Sequence, residues 1–318
     1  MVAKLFRRAA LFLALGLVPL GALYLVSESV SPVYADQKLR VRFLEESADS
    51  LEALAVGNSH NLAIDFDALG MRGFHIWQGG TDPFELEYQL RYLMPRVPRV
   101  RTVLIPASYF LFVSDNAALV TEDRSDLRRS FYAAQPQPRW IAGDFTHFLE
   151  AHAAPVARPD HWLGVVKGLA TGQRVGVPTE RSYCRPVLLT ADSLAKDAAK
   201  RLELHRGLYT EMSQNHPRLA DDAQAALARA VDGLRERGVR VVFFTPPYYH
   251  LYERGFDPRV RDDMRRRMAA LASRPGVEWH DLSQDPALTR DPANFMDGDH
   301  LSCRGAAAFS RRLRAEMK

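Results

Sequence analysis

Two polar segments near opposite ends of the chain contain the residue types of a serine nucleophile and its base. Ser59 follows Gly57 and Asn58 just after an apolar stretch, and Asp297 and His300 lie near the C-terminus. A serine hydroxyl is a poor nucleophile at its ordinary pKa, so it needs a base within hydrogen-bond reach and a third group that orients this base. We therefore predict that Ser59 is a nucleophile, that His300 is its general base and that Asp297 orients His300.

The segments around these residues have the pattern of elements that could hold them in place. The pattern around Ser59 predicts a strand, a tight turn and a helix, from apolar residues 54–56, Gly57 and a helix-compatible segment after it. This arrangement lifts a serine hydroxyl clear of the backbone. After His300 the apolar positions keep helical spacing, which predicts a final helix that packs on the sheet and fixes the histidine loop. Its apolar positions are Ala306, Phe309, Leu313 and Met317.

Short β-rich runs alternate with helical patterns along the chain, which predicts an α/β fold with a parallel sheet between two helical layers. The five predicted strands are 51–56, 73–77, 101–105, 239–244 and 276–280. Asp82, Pro83 and Glu85 have the spacing of an N-cap, a first helical position and a capping box, so they predict a helix start.

A long interruption separates the third and fourth predicted strands. We place an insertion at about residues 110–235, rich in aromatic residues and histidines. Ligands of open α/β sheets bind beyond the carboxyl ends of the strands, so an insertion there can shape a substrate-binding cap. A structural subdomain with its own small core is an equally open interpretation.

The N-terminus has the pattern of a membrane-targeting segment. Lys4, Arg7 and Arg8 precede the uncharged residues 9–26, and this charge bias predicts a cytoplasmic N-terminus. We predict that residues 1–35 are a membrane anchor or signal segment, with an anchor favoured over cleavage after Ala35, and that residues 36–318 form one domain. The expected location is the inner membrane, single-pass with a periplasmic domain. The alternative is a secreted or periplasmic protein after signal cleavage.

Net charge and cysteine usage restrict the class of protein further. The formal net charge is +4 and the pI is about 9.1, but the basic residues cluster on helix-like surfaces such as 259–267 and 311–314. A solvated face is therefore the favoured interpretation, and we expect no nucleic-acid partner. Cys184 and Cys303 lie in a predicted compartment that permits disulfides, and the sequence leaves open whether they pair.

Taken together, these segments resemble the SGNH (GDSL-type) hydrolase superfamily, from about residue 51 to the end and without the insertion. The superfamily's Gly-Asp-Ser-like motif corresponds here to Gly57-Asn58-Ser59-His60, with Asn58 in place of the aspartate. Its Asp-x-x-His block corresponds to Asp297-Gly298-Asp299-His300. The resemblance implies a flavodoxin-like three-layer SGNH hydrolase fold with a parallel sheet and a large insertion between strands 3 and 4.

The resemblance also implies an oxyanion hole, a set of donors that meets the negative charge developing on a carbonyl oxygen. Its expected members are the amide of Ser59 and the glycine pair Gly79 and Gly80 after the second strand. A third block normally supplies an asparagine side chain, whereas this chain has Ser108 at that place. Ser108 or Asn58 could replace it; otherwise backbone donors alone remain, at a cost of roughly 10²-fold in hydrolysis.

Aromatic residues after the third and fourth strands are candidates for substrate binding. They are Tyr109, Tyr248, Tyr249 and His250. Tyrosine rings stack on sugars as readily as they fill cores, so the pattern alone does not decide between these roles.

A metal site is the alternative chemistry for the C-terminal motif, since Asp297, Asp299 and His300 are residue types that bind cations. Their spacing is not diagnostic, and we expect no metal and no cofactor. Asp299 is expected to hydrogen-bond local backbone or to face solvent.

The resemblance is closest to membrane-anchored polysaccharide O-acetyltransferases of the alginate-acetylation type. It implies serine-dependent acyl transfer to, or deacylation of, a cell-surface or exported polysaccharide outside the cytoplasm, with transferase favoured over esterase. The expected partners are a glycan acceptor and a membrane acyltransferase that supplies the acyl donor. The alternative is a catalytically inactive SGNH-like scaffold that binds a glycan or a partner protein.

Overall fold

A computed structural model describes residues 4–8, 11–16, 18, 32–118, 122–153, 167, 170–172 and 189–317. Five strands form one sheet, and each lies within two residues of its predicted bounds, so all five predictions are confirmed. The strands are β1 Ala53–Gly57, β2 Gly73–Trp77, β3 Thr102–Pro106, β4 Arg240–Thr245 and β5 Val277–Asp281.

The strands are all parallel, in the order β2-β1-β3-β4-β5. The chain therefore moves toward one edge of the sheet after β1 and toward the other edge after β2. In such sheets the carboxyl ends of β1 and β3, where the direction changes, are the usual place for a ligand. The predicted α/β class with a parallel sheet is thus confirmed.

Helices connect the strands. They are α1 Pro32–Ser47, α2 Phe66–Leu69, α3 Pro83–Leu93, α4 Glu122–Ala134, α5 Phe145–Ala153, α6 Ala191–Asn215, α7 Leu219–Arg235, α8 His250–Gly255, α9 Pro258–Ala272, α10 Pro286–Thr289 and α11 Cys303–Glu316. Short 3₁₀ helices cover Ser59–Ala63, Met94–Arg96, Leu111–Val113 and Pro292–Asn294. Residues 4–8 and 11–16 are also helical.

Crossovers between parallel strands are almost always right-handed, so the change of direction after β2 places α2 and α3 on opposite faces of the sheet. The helix after β1 lies on one face, and α11 packs against it. α3, which follows β2, lies on the other face and packs against α7. Side chains of the central strands, among them Leu54, Val103 and Phe243, are fully buried between these layers.

The predicted start of α3 is confirmed with its capping box. The Asp82 carboxylate accepts a hydrogen bond from the backbone N–H of Glu85 at 2.8 Å, and the Glu85 carboxylate accepts one from the N–H of Asp82 at 3.1 Å. Pro83 occupies the first turn, where its missing N–H costs nothing.

The chain divides into two compact units, Met1–Arg42 with Asp126–Pro178 and Phe43–Ser125 with Thr179–Lys318. The sheet belongs entirely to the second unit. The predicted domain boundary at residue 35 and the predicted insertion at 110–235 stay predictions.

The first unit contains a buried polar cluster around Asp144. This carboxylate accepts hydrogen bonds from the Arg128 guanidinium and the Tyr132 hydroxyl, both at 3.0 Å, and lies 2.5 Å from Nδ1 of His147. Buried carboxylates need such partners, because desolvation without them is costly. These polar residues of the predicted insertion therefore have a structural role, because they stabilise one another in the interior.

The prediction of a single-pass inner-membrane protein is corrected here. Among the helices of the described residues, none is long and apolar enough to cross a membrane, which requires about 20 mostly apolar helical residues. Of the predicted span 9–26, residues 11–16 and 18 are helical, and the rest lie outside the described residues.

Cys303, at the start of α11, is disulfide-bonded, and no described cysteine is free. Cys184 lies outside the described residues.

Candidate functional site

The turn after β1 presents Ser59 at the carboxyl edge of the sheet. Gly57 has a φ of +128°, and a Cβ added there would lie 3.1 Å from Cδ of Pro106, so both conformation and space favour glycine. Asn58 caps the following 3₁₀ helix, because its side-chain oxygen accepts a hydrogen bond from the N–H of His60 at 3.0 Å. The predicted tight turn is confirmed, although the helix that follows it directly is 3₁₀.

Ser59, His300 and Asp297 lie within hydrogen-bond distance of one another in that order. Nε2 of His300 is 2.7 Å from Oγ of Ser59. Nδ1 of the same ring lies 3.0 Å and 3.1 Å from the two carboxylate oxygens of Asp297. A hydroxyl, an imidazole and a carboxylate in this order can transfer a proton from the hydroxyl to the imidazole.

Local structure around α11 holds the His300 loop in place. The N–H of Met296 donates to the carbonyl of His300 at 3.1 Å, and the N–H of Ser302 donates to the carbonyl of Asn294 at 2.8 Å. Ser302 also caps α11 by accepting from the N–H of Gly305 at 3.2 Å. A side chain at Gly305 would overlap the carbonyl oxygen of Asn294, so this close approach requires glycine.

Asp299 is a second carboxylate beside the same imidazole. It is 3% exposed, and one of its oxygens lies 3.0 Å from Nδ1 of His300. Its other oxygen lies 3.5 Å from Nε2 of His60. The expectation that Asp299 bonds local backbone or faces solvent is therefore wrong.

Arg201, on α6, joins the two carboxylates. Its guanidinium donates to Asp297 at 2.8 Å and to Asp299 at 2.7 Å. Asp197, one helical turn earlier, holds the guanidinium at 2.8 Å and accepts from the N–H of Gly298 at 2.7 Å. Sequence reasoning missed Arg201: the spacing of Asp197 and Arg201 indicates an i,i+4 pair, but nothing local points to the distant aspartates.

The two carboxylates make His300 a strong base. Burial alone lowers the pKa of His300, but the charge and hydrogen bond of Asp299, together with those of Asp297, outweigh burial and raise it to about 10. Burial also opposes ionisation of Asp299, yet His300 and His60 hold the pKa of Asp299 well below its usual range. His300 is therefore mostly protonated at neutral pH in the resting state.

A second hydrogen-bonded group lies beneath the first. Nδ1 of His60 is 2.6 Å from Oγ of Ser108, and the side-chain amide of Asn58 donates to the same oxygen at 3.0 Å. All three residues are buried. Burial is the main cause of the lowered pKa of His60, which favours a neutral ring. Ser108 and His60 are thus hydrogen-bonded next to the first series, and Asp299 lies 3.5 Å from Nε2 of His60.

The residues expected to form the oxyanion hole differ in their exposure. Gly79 and Gly80 follow β2, which pairs in register with β1, and both glycines are partly exposed. A Cβ added at Gly79 would meet no heavy atom of the described residues within 4 Å, so this stretch of backbone faces open space. The side chains of Asn58 and Ser108 are instead buried and bonded to each other.

The four residues expected to bind substrate mostly lie in the interior. Tyr109, Tyr248 and Tyr249 are each at most 3% exposed, and only His250 is partly exposed. Burial raises the pKa of both Tyr109 and Tyr248. Their rings pack 4.8 Å apart, centroid to centroid. A contact between these tyrosines and a substrate stays a prediction.

Three residues of the site could in principle hold a metal ion. Ligand atoms of His60, Asp299 and His300 all lie within 4.8 Å of one another. However, the Arg201 guanidinium already donates to Asp299 at 2.7 Å, and its positive charge beside the cluster opposes the binding of a cation. We therefore assign this cluster to hydrogen bonding and proton transfer.

Comparison with known proteins finds no matching family model and no matching curated relative.

Proposed function

We propose that this chain is a serine-dependent acyl-transfer enzyme of the SGNH type, which moves an acyl group from an ester to a glycan hydroxyl or to water. The observation that carries the proposal is the series Ser59, His300 and Asp297, with contacts of 2.7 Å and 3.0 Å between groups from opposite ends of the chain. The strand order supports a flavodoxin-like, three-layer SGNH fold as part of the same proposal.

In the first step, Oγ of Ser59 bonds to the ester carbonyl carbon while its proton passes to Nε2 of His300. The tetrahedral intermediate then expels the alcohol, which takes the proton from His300, and an acyl ester remains on Ser59. In the second step, an acceptor hydroxyl attacks this ester and gives its proton to His300. The bond to Ser59 breaks, and Oγ recovers the proton.

Backbone donors are the proposed oxyanion hole. The Ser59 amide and Gly79 lie beyond the ends of neighbouring strands, and Gly79 borders open space. Ser108 and Asn58 already satisfy each other in the interior, so we assign them to holding His60 rather than to the substrate oxygen. Loss of a side-chain donor slows attack on the acyl carbonyl by roughly 10²-fold, for water and sugar hydroxyl alike.

The acceptor in this proposal is a sugar hydroxyl, and a membrane acyltransferase remains the proposed source of the acyl group. Transfer rather than hydrolysis requires that the acceptor be held beside the acyl-enzyme while water is displaced.

The test is intact-mass spectrometry of the full chain after exposure to an activated acetyl ester or a serine-directed phosphonate. We expect one adduct at Ser59 in the wild type and none in Ser59→Ala. Ser273→Ala is the matched control, because Ser273 is exposed and makes only a local backbone contact, so the adduct should persist. A folded wild-type protein without an adduct would refute the enzyme and favour the predicted glycan-binding scaffold.

A further inference from the structure

A cavity of about 420 Å³ lies between α6 and the short segment that joins α8 to α9. Its walls include His205, Tyr209 and Thr210 from α6 and Phe256 from the joining segment. Small-molecule sites commonly occupy about 300–1,000 Å³. We propose that this cavity binds one uncharged sugar ring of the acceptor; as an acceptor site, it rests on the proposed function.

The position of the cavity along α6 places it close to the proposed nucleophile. Arg201, His205 and Tyr209 follow one another at intervals of four residues, so they share one face of the helix. Four residues advance an α-helix by about 6 Å. Because Arg201 contacts both carboxylates beside His300, the cavity begins about one helical turn from that cluster.

Aromatic side chains contact one another in a series between the His300 cluster and the cavity. The ring of His60 lies 4.9 Å from that of His300 and 5.6 Å from that of Phe110, centroid to centroid. Phe110 in turn stacks on Tyr209 at 5.4 Å, with an interplanar angle of 12°. A series of ring contacts therefore connects the wall of the cavity with His300.

The lining combines ring faces with hydrogen-bonding groups, as sugar recognition requires. Tyr209 and Phe256 supply aromatic surface, and Thr210, Ser213 and Gln214 supply hydroxyl and amide groups. Such a mixed lining suits a ligand that has apolar ring faces and many hydroxyls.

His205 contributes a neutral ring to this wall. Its Nδ1 lies 2.6 Å from the hydroxyl of Tyr252, which fixes the ring. Burial lowers the pKa of His205 to about 4, so the ring carries no charge at neutral pH. Nε2 makes no hydrogen bond within the described residues and can bond a ligand hydroxyl.

The charges of the wall balance. It contains two guanidinium groups, Arg206 and Arg259, and two carboxylates, Asp257 and Asp263. Arg259 and Asp257 form an ion pair at 2.9 Å. A lining with zero formal charge favours an uncharged polyhydroxyl ligand over an anionic one.

Binding is measured first, in the full-length Ser59→Ala variant, where no chemistry occurs. The probes are the methyl glycosides of glucose, galactose, mannose and N-acetylglucosamine, observed by saturation-transfer NMR, with methyl glucuronide as the charged comparison. We expect at least one neutral glycoside to bind and methyl glucuronide to bind at least 10-fold more weakly. No binding by any neutral glycoside, or preference for the glucuronide, would overturn the inference.

Thr210→Trp fills the cavity from an exposed position and should reduce glycoside binding at least 10-fold. Leu204→Trp is the matched control: it adds the same side chain to α6 at an exposed position that does not line the cavity, and binding should be unchanged. Equal binding by both tryptophan variants would place the sugar elsewhere.

Chemistry is measured second, as the partition of acetyl from acetyl-Ser59 between glycoside and water. In Thr210→Trp, we expect transfer to the glycoside to fall at least 10-fold relative to release of acetyl to water, whereas Leu204→Trp should divide acetyl between glycoside and water as the parent protein does. Unchanged transfer would overturn the inference that the cavity is the acceptor site, but it would not contradict the proposed acyl-transfer activity. Absence of acetylation at Ser59 in the wild type would refute the proposed function, while the NMR result would still decide whether the cavity binds sugar.

Discussion

Replacing Asp299 with asparagine should move the pH dependence of the proposed reaction toward neutral pH. In the wild type, the acidic limb of kcat/KM reports deprotonation of His300, whose pKa is raised to about 10. An opposite charge within about 4–6 Å commonly moves a pKa by about 1–3 units, and the Asp299 carboxylate lies 3.0 Å from Nδ1. We therefore expect the limb of Asp299→Asn to lie about 1–3 pH units lower.

This shift predicts an increase in activity at neutral pH. A fall of about two units would raise the fraction of neutral imidazole at pH 7 roughly 100-fold, since each unit is a factor of ten. The weaker base offsets part of that gain, so the net rise at pH 7 should be about 10-fold. Above pH 10 the wild type should be the faster protein, because its base is stronger. The two profiles should therefore cross.

The assay is hydrolysis of an activated acetyl ester between pH 6 and 11, with the Ser59→Ala rate subtracted as background. Asp262→Asn is the control, because it removes a carboxylate that is 63% exposed, and its limb should match that of the wild type. Coincident limbs for wild type and Asp299→Asn would refute the claim that Asp299 holds the proton on His300.

Unfolding provides a second measurement that does not depend on catalysis. A histidine with a raised pKa contributes stability that is fully present below its unfolded value of 6.5 and is lost as pH rises through about 10. At about 1.4 kcal/mol per pKa unit, the loss is at most roughly 5 kcal/mol. Urea unfolding should show this decline in the wild type and a smaller one in Asp299→Asn. Equal declines would contradict the assignment.

Three further substitutions test other parts of the site. Asp297→Asn should lower kcat roughly 10³ to 10⁴-fold without changing the far-UV circular dichroism spectrum, because it disturbs the orientation of His300; near wild-type kcat would exclude Asp297 as the orienting group. Arg201→Gln should shift the acidic limb of the kcat/KM profile to higher pH, because it removes a cation that opposes protonation of His300. This shift is opposite to that of Asp299→Asn, and a shift to lower pH would contradict the reasoning. Gly57→Ala should reduce the free energy of unfolding by about 1–3 kcal/mol, given its φ of +128° and the 3.1 Å approach to Pro106, and urea unfolding measures this loss.

The features that could be predicted from sequence are those with a local physical cause. The strands follow from short apolar runs, and the start of α3 follows from Asp82, Pro83 and Glu85 within four positions. Ser59 and His300 could be paired because each lies beside an element boundary, at the end of β1 and just before α11. Such boundaries in a parallel sheet lie at the same edge, but two strands separate β5 from β1, so the 2.7 Å contact also depends on the loop before α11.

The features that escaped prediction depend on contacts between distant segments. Arg201 and Asp299 are 98 positions apart, and α6 shows only an ordinary i,i+4 pair at Asp197 and Arg201. His60 also escaped, because its role depends on Ser108 and Asp299, which come from two other loops. Hydropathy and charge near the N-terminus led to the expectation of a membrane span, which the described helices do not bear out.

The charges around His300 explain how a histidine that rests protonated can still serve as a base. Even with His300 protonated, three carboxylates, Asp197, Asp297 and Asp299, face only two cations, His300 and Arg201. Loss of the proton from His300 adds a further uncompensated negative charge to a largely buried cluster, which is costly and therefore raises the pKa of His300. When His300 then takes the proton of Ser59, its positive charge returns beside these carboxylates as negative charge develops on the substrate oxygen. The cluster thus stabilises the protonated His300 of the transition state. The same effect lowers the fraction of His300 that is neutral, and so able to act as a base, at neutral pH.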